Sequence, residues 1–129
     1  MLLDPEAVLI EYLRTQPVWT ALAERISAGP NLPTGYRPAQ GAAILLSLRS
    51  MSQDYSRGVA PAIVQFTTYA FDAVTVRATE KKLYESLNDK SSPKMLGCFF
   101  SQTSGLGQTP DGNWWFAISL YNCQFFNKS

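Results

Sequence analysis

The chain has 129 residues, a formal net charge of +1 and no histidine. That length predicts a single domain, 1–129, burying about two-thirds of its unfolded surface, and scattered Lys and Arg leave no basic stripe for a nucleic-acid groove. No apolar run reaches the roughly 20 residues that cross a bilayer, MLLDPEA lacks the regions of a signal peptide, and the missing histidine removes the commonest general base and metal ligand.

Asp4, Pro5 and Glu6 spell a helix start: a capping carboxylate, Pro at the first helical position and an acid in the first turn. Val8, Leu9, Tyr12 and Leu13 make its apolar stripe. Pro17 is expected to open a second short helix with Val18, Leu22, Ala23 and Ile26 inward and Trp19 alongside, stopped by Gly29 and Pro30. Residues 28–42, AGPNLPTGYRPAQGA, fit no periodic element and read as an ordered excursion, extended at Pro33 and Pro38.

Ala43 to Arg49 reads as the first strand, with Ile44, Leu46 and Leu48 on one face. The polar link MSQDYSRGV is too long for a tight turn and predicts a projecting loop. The stretch from Ile63 to Phe71 has the β-branched and aromatic composition of a strand. Its face of Val64, Phe66, Thr68 and Ala70 is fit to lie under a helix, whereas Ile63, Gln65, Thr67, Tyr69 and Phe71 make a mixed second face. Beyond Asp72 the period turns helical, with Val76, Leu83 and Leu87 inward and either Asp72 or Thr75 as cap. Asn88 to Pro93 end this crossover helix, and a parallel return would make the connection right-handed.

Met95 to Gln102 predicts a third strand and Trp114 to Phe126 a last one, joined by the glycine-rich TSGLGQTPDGN with a turn at Pro110, Asp111 and Gly112. A loop centred near Leu106 to Gln108 would set Cys98 opposite a residue near 117, far from Cys123, so the two cysteines are expected to be free, buried thiols of a protein made in the cytoplasm. The predicted order is α-α-β-β-α-β-β. The fold class is α+β, a four-stranded, mostly antiparallel sheet with the long helix on one face.

No catalytic constellation emerges. The GLG at 105–107 lacks the Lys-Ser/Thr of a phosphate loop and precedes a strand, and Asp54, Asp72, Asp89 and Asp111 sit where caps and turns use them. Two cysteines without histidine offer too few zinc ligands, and no other cofactor is implied. Trp114 and Trp115 face opposite sides of their strand, so one leaves the core, to pack under the N-terminal helices or to meet another subunit.

With these elements placed, the sequence resembles the tail terminator (tail completion) proteins of long-tailed bacteriophages, also described as minor tail or tail-to-head joining proteins. The resemblance lies in DPEAVLIEYLRTQPVWTALAERI, PNLPTGYRPAQGAAILLSL, AIVQFTTYAFDAVTVRATEKKLYESL and WWFAISLYNCQFF. It implies a non-enzymatic ring, usually a hexamer, at the head-proximal end of the tail. Such a ring caps the tail tube, ends its polymerisation and meets the head connector, while DNA passes through without specific binding. On that view Tyr69, Phe71, Trp115 and Tyr121 lie near a subunit boundary. The loops with Asp54, Tyr55, Arg57, Leu106 and Asp111 face tube or connector. The rival expectations are a small cytoplasmic α+β ligand-binding or regulatory domain, whose second sheet face forms a pocket, and an unusual hydrolase.

Overall fold

A computed structural model describes residues 4–17, 19, 26–28, 41–51, 59–92, 95–108 and 114–126. Among the described residues eight elements follow one another: α1 (Pro5–Arg14), β1 (Ile26–Ala28), β2 (Ala43–Met51), β3 (Val59–Ala70), α2 (Ala73–Leu87), β4 (Met95–Thr103), β5 (Gly107–Gln108) and β6 (Trp115–Phe126). They form a six-stranded sheet in the order β1-β2-β3-β6-β4, with β5 also paired to β6. The expected four-stranded sheet under one long helix is therefore corrected to a mixed α/β sheet of six strands with two short helices.

The two added strands have physical reasons. Ile26, expected in the stripe of a second helix, instead opens a strand, Ile26 to Ala28, that pairs parallel with Ile44 to Leu46. Ile26 is fully buried there, and Arg14 at the end of α1 donates to its carbonyl at 2.8 Å. Short apolar runs do not distinguish helix from strand, and a free ladder on β2 decides it. Most of that expected helix, like the excursion after it, lies outside the described residues. Gly107 and Gln108, read as loop, pair with Phe116 and Trp115 and so carry the hairpin arm beyond β4. Ser104 bridges the gap, its amide donating to the Ile118 carbonyl at 2.8 Å and its hydroxyl accepting from the Ile118 amide at 2.9 Å.

The centre of the sheet is the antiparallel pair β3 and β6, matched without a break from Val59 opposite Phe126 to Ala70 opposite Trp115. The even positions of β3 from Ala60 to Ala70 are all buried, as are Ala117, Ser119, Tyr121, Cys123 and Phe125 of β6. This face lies under α2, whose Val76, Thr79, Leu83 and Leu87 are buried against it. The expected assignment of Val64, Phe66, Thr68 and Ala70 to the helix side holds.

α2 begins where Asp72 accepts from the Thr75 amide at 2.7 Å, and α1 where Asp4 accepts from the Ala7 amide at 3.1 Å. Glu80 ties α2 to the sheet. Its Oε2 accepts from Thr103 at 2.8 Å and Ser119 at 3.0 Å, while its Oε1 meets Arg77 at 3.0 Å. α1 and α2 share one layer, joined at Ser86, whose carbonyl accepts from the Tyr12 hydroxyl and whose Oγ accepts from the Trp19 indole, both at 2.9 Å.

The register of β4 on β6 overturns the expectation for the cysteines. Thr103 pairs with Ser119 and Cys98 with Cys123, which centres the connection near Asp111, not near Leu106 to Gln108. Both thiols are free and buried as expected, but their Sγ atoms lie 2.7 Å apart. Gly107 belongs to the paired arm and so does not mark its turn. A Cβ on Gly107 would come within 2.9 Å of the Phe116 ring.

Three stability outcomes follow. Replacing Glu80 by Gln removes the charge from bonds made by a side chain only 11% exposed; unfolding in urea should show a loss of about 1–3 kcal/mol. The buried Thr68 hydroxyl finds no partner among the described residues, so Thr68→Val should raise stability by about 1 kcal/mol, since it removes an unsatisfied donor while keeping a β-branched chain. The hydrogen bonds from Thr75 hold the Asp72 carboxyl below its usual range. Its contribution is present above the unfolded value near 4 and is lost as pH falls through the lower folded value. Asp72→Asn keeps a capping oxygen and should flatten the acid limb of the unfolding midpoint measured by circular dichroism between pH 5 and pH 2.

Candidate functional site

Among the described residues, no three His, Cys, Asp or Glu side chains group as a metal site would. No helix there is long and apolar enough to cross a membrane. What the described residues expose instead is apolar surface. Besides Tyr84 and Phe100, stacked edge-on where α2 meets β4 and 45% and 37% exposed, it falls in two places.

The first is the sheet face turned away from the helices. Register sets Ile63 of β3, Asn122 of β6 and Phe99 of β4 in one row across three strands. Ile63 is 39% and Phe99 48% exposed, and Leu96, at a register shift in β4, is 46% exposed. The next rows run through Leu120 and Ile118, both half-buried. One polar chain runs along this face: Arg49 donates to Gln65 at 2.7 Å, and Gln65 donates to Thr67 at 3.2 Å.

The second place is the end of the sheet where β3 stops and β6 starts. Tyr69 pairs with Phe116, Phe116 with Gly107, and Ala70 with Trp115. The Tyr69 ring stands edge-on to Trp114 at 6.0 Å between centroids and is tilted against Phe116 at 6.1 Å. Burial raises the Tyr69 pKa above its ordinary value, which keeps the phenol neutral. Past Tyr69 the chain turns into α2, leaving Phe71 65% and Val74 79% exposed. Exposed aromatics beside a half-buried aromatic cluster are the composition of an anchor patch.

The structure separates the four residues expected at a subunit boundary. Tyr69 and Phe71 stand at this end. Trp115 is close in register but faces the helix side, half-buried against the core. Tyr121 lies within the core at 1% exposure and has no surface for a partner. It forms the inner part of an edge-to-face chain, with Phe66 at 5.3 Å, Phe100 at 5.5 Å and Tyr84 a further 5.6 Å beyond Phe100. Burial pushes its phenol pKa up. Alternation along β6 puts Trp115 and Tyr121 on one face, and the register with β3 shows that this face meets α2.

Of the expected loop residues, Leu106 is half-buried and packs against the core, next to the patch. Asp54, Tyr55, Arg57 and Asp111 lie outside the described residues. Sequence reasoning missed Ile63 and Phe99 as a row, which only register reveals. It also missed Val74, whose signal was available: two positions before Val76, it falls on the opposite side of α2 from the buried stripe. An open groove of about 380 Å³ lies in the helical layer, lined by Val8, Glu11, Tyr12, Thr15, Gln16, Ser91 and Ser92.

No family model matches the sequence and no curated protein does. Among solved structures, the chain is similar to one from the virion of a native gene transfer agent (GTA) particle. They share 13% identity with a TM-score of 0.65, over 95% of this chain and 94% of that one. At that identity the likeness is one of fold, nearly end to end.

The two aromatic positions should separate in their effects. Tyr121→Ala opens a core cavity and should cost about 3–5 kcal/mol in chemical denaturation. Phe71→Ser removes exposed surface and should change stability by no more than about 0.5 kcal/mol.

Proposed function

We propose that this protein is a structural component of a phage-like virion, acting as a tail terminator. Several copies, six by the resemblance, close into a ring on the tail tube, end its growth and present a surface to the head connector. The observation that carries this reading is the fold shared with a chain of a gene transfer agent virion over nearly the whole of both chains. The role is one of shape and not of catalysis.

The surface supports it physically. A head-to-tail ring joins two different patches per subunit, and closure needs only the right rotation between copies. The Ile63–Phe99 row on the sheet and Phe71 with Val74 at the junction of β3 and α2 are two such patches. A net charge of +1 suits a channel that lets DNA pass without holding it. The protein is made in the host cytoplasm and ends at the head-proximal end of the tail. The rival, a small ligand-binding domain, would use the groove beside α1. That groove lies in the helical layer, away from the second sheet face where a pocket was expected, and its lining brings one carboxylate and no cation.

Light scattering on a size-exclusion column, followed by negative-stain imaging, tests the proposal. Rings are expected in concentrated protein or on the ends of added tail tubes, with Phe71→Ser lowering the ring fraction severalfold. Deleting the coding sequence should yield tails of uncontrolled length without heads. Complete particles lacking this protein where tail meets capsid would overturn the assignment.

A further inference from the structure

Cys98 and Cys123 face each other across β4 and β6, buried on the helix side. The Asp89 amide donates to the Cys98 carbonyl at 2.7 Å, and the Phe100 amide donates to Asn88 Oδ1 at 2.9 Å. The polar backbone groups of β4 at these positions therefore point away from β6, and the cysteines form a non-hydrogen-bonded pair. Such pairs hold their Cα atoms about 4.5 Å apart, within the roughly 4.4–6.8 Å that a disulfide spans. Both Cβ atoms leave the sheet on the same side, and the free thiols are in contact.

β4 is also where a covalent link has most to hold. It is an edge strand of the sheet, and its register shifts at Leu96 and again at Ser101. Edge strands with broken ladders open before central ones.

We propose that Cys98 and Cys123 are a redox-controlled latch, in which a small peroxide converts the thiol pair to a disulfide that fastens β4 to β6. One sulfur, as thiolate, attacks the peroxide O–O bond; a sulfenic acid forms and the released hydroxide takes up a proton to become water. The second sulfur then displaces the sulfenic oxygen, making the S–S bond and a second water. Two electrons pass from the sulfurs to the peroxide, and the two thiol protons end in the water formed. The hydrogen bond with Cys123 and burial both push the Cys98 pKa up, which makes its thiolate harder to form in the packed sheet. A reducing cell interior leaves the latch open, and an oxidising medium closes it.

The test uses the full-length protein, fully reduced and then exposed to a small excess of hydrogen peroxide. Intact mass should fall by two hydrogen atoms per chain, and a non-reducing digest should contain the Cys98 and Cys123 peptides joined. The unfolding midpoint should rise by about 5 °C or more, and amide exchange in β4 should slow at least tenfold. Cys98→Ala and Cys123→Ala, each still folded by circular dichroism, should lose the mass change and the shift. Thiols still alkylated after unfolding, oxygen added to sulfur without a link, links only between chains, or a linked protein with an unchanged midpoint would each overturn the latch.

Discussion

The unbroken pairing of β3 with β6, Val59 opposite Phe126 through to Ala70 opposite Trp115, is the constraint on which the rest of the molecule depends. Side chains alternate along a strand, so a single register assigns two long strands to both faces at once, and a slip of one residue would exchange them. With Val64 opposite Tyr121 and Phe66 opposite Ser119, the small and apolar positions of both strands collect on one side. That side can take a helix. The other side keeps Ile63, Gln65, Asn122 and Gln124, which cannot all be buried.

The helical layer is then located by a few polar bonds added to apolar packing. Glu80 accepts from both neighbouring strands, and Ser86 receives Tyr12 from α1 and Trp19 from the segment after it. Apolar contact alone is non-directional and tolerates sliding. A carboxylate mostly withdrawn from water, held by two hydroxyls and an arginine, does not. The same layer protects the far edge of the sheet, because the turn after α2 runs alongside β4 and satisfies its outward groups at Cys98 and Phe100.

This arrangement makes a lopsided molecule: one sheet face packed under helices, the other carrying Ile63 and Phe99 at the surface. A small domain gains little by exposing Phe71, Val74 and Phe99 unless other surfaces meet them. The proposed ring gives those residues a physical use, since copies joined head to tail would bury different apolar patches of each subunit. The fold itself is shared with a chain of a gene transfer agent virion, with little sequence in common.

Local signals settled much by themselves. The cap at Asp4 with Pro5, the change of period after Asp72, the stripe Val76–Leu83–Leu87 and the helix-side face of β3 were legible because each depends on residues a few positions apart. Composition likewise argued against a histidine-based site before any fold was known. What required the tertiary structure was every relation between distant segments. Whether Ile26 extends a helix or pairs with β2, which face of β6 meets α2, and whether Cys98 meets Cys123 or a residue near 117 all turn on strand register. Register follows from the sum of packing over whole strands and from bulges at Leu96 and Ser101, which no local motif announces. That is why alternation alone can group Trp115 with Tyr121, whereas only the folded sheet shows that the group looks inward.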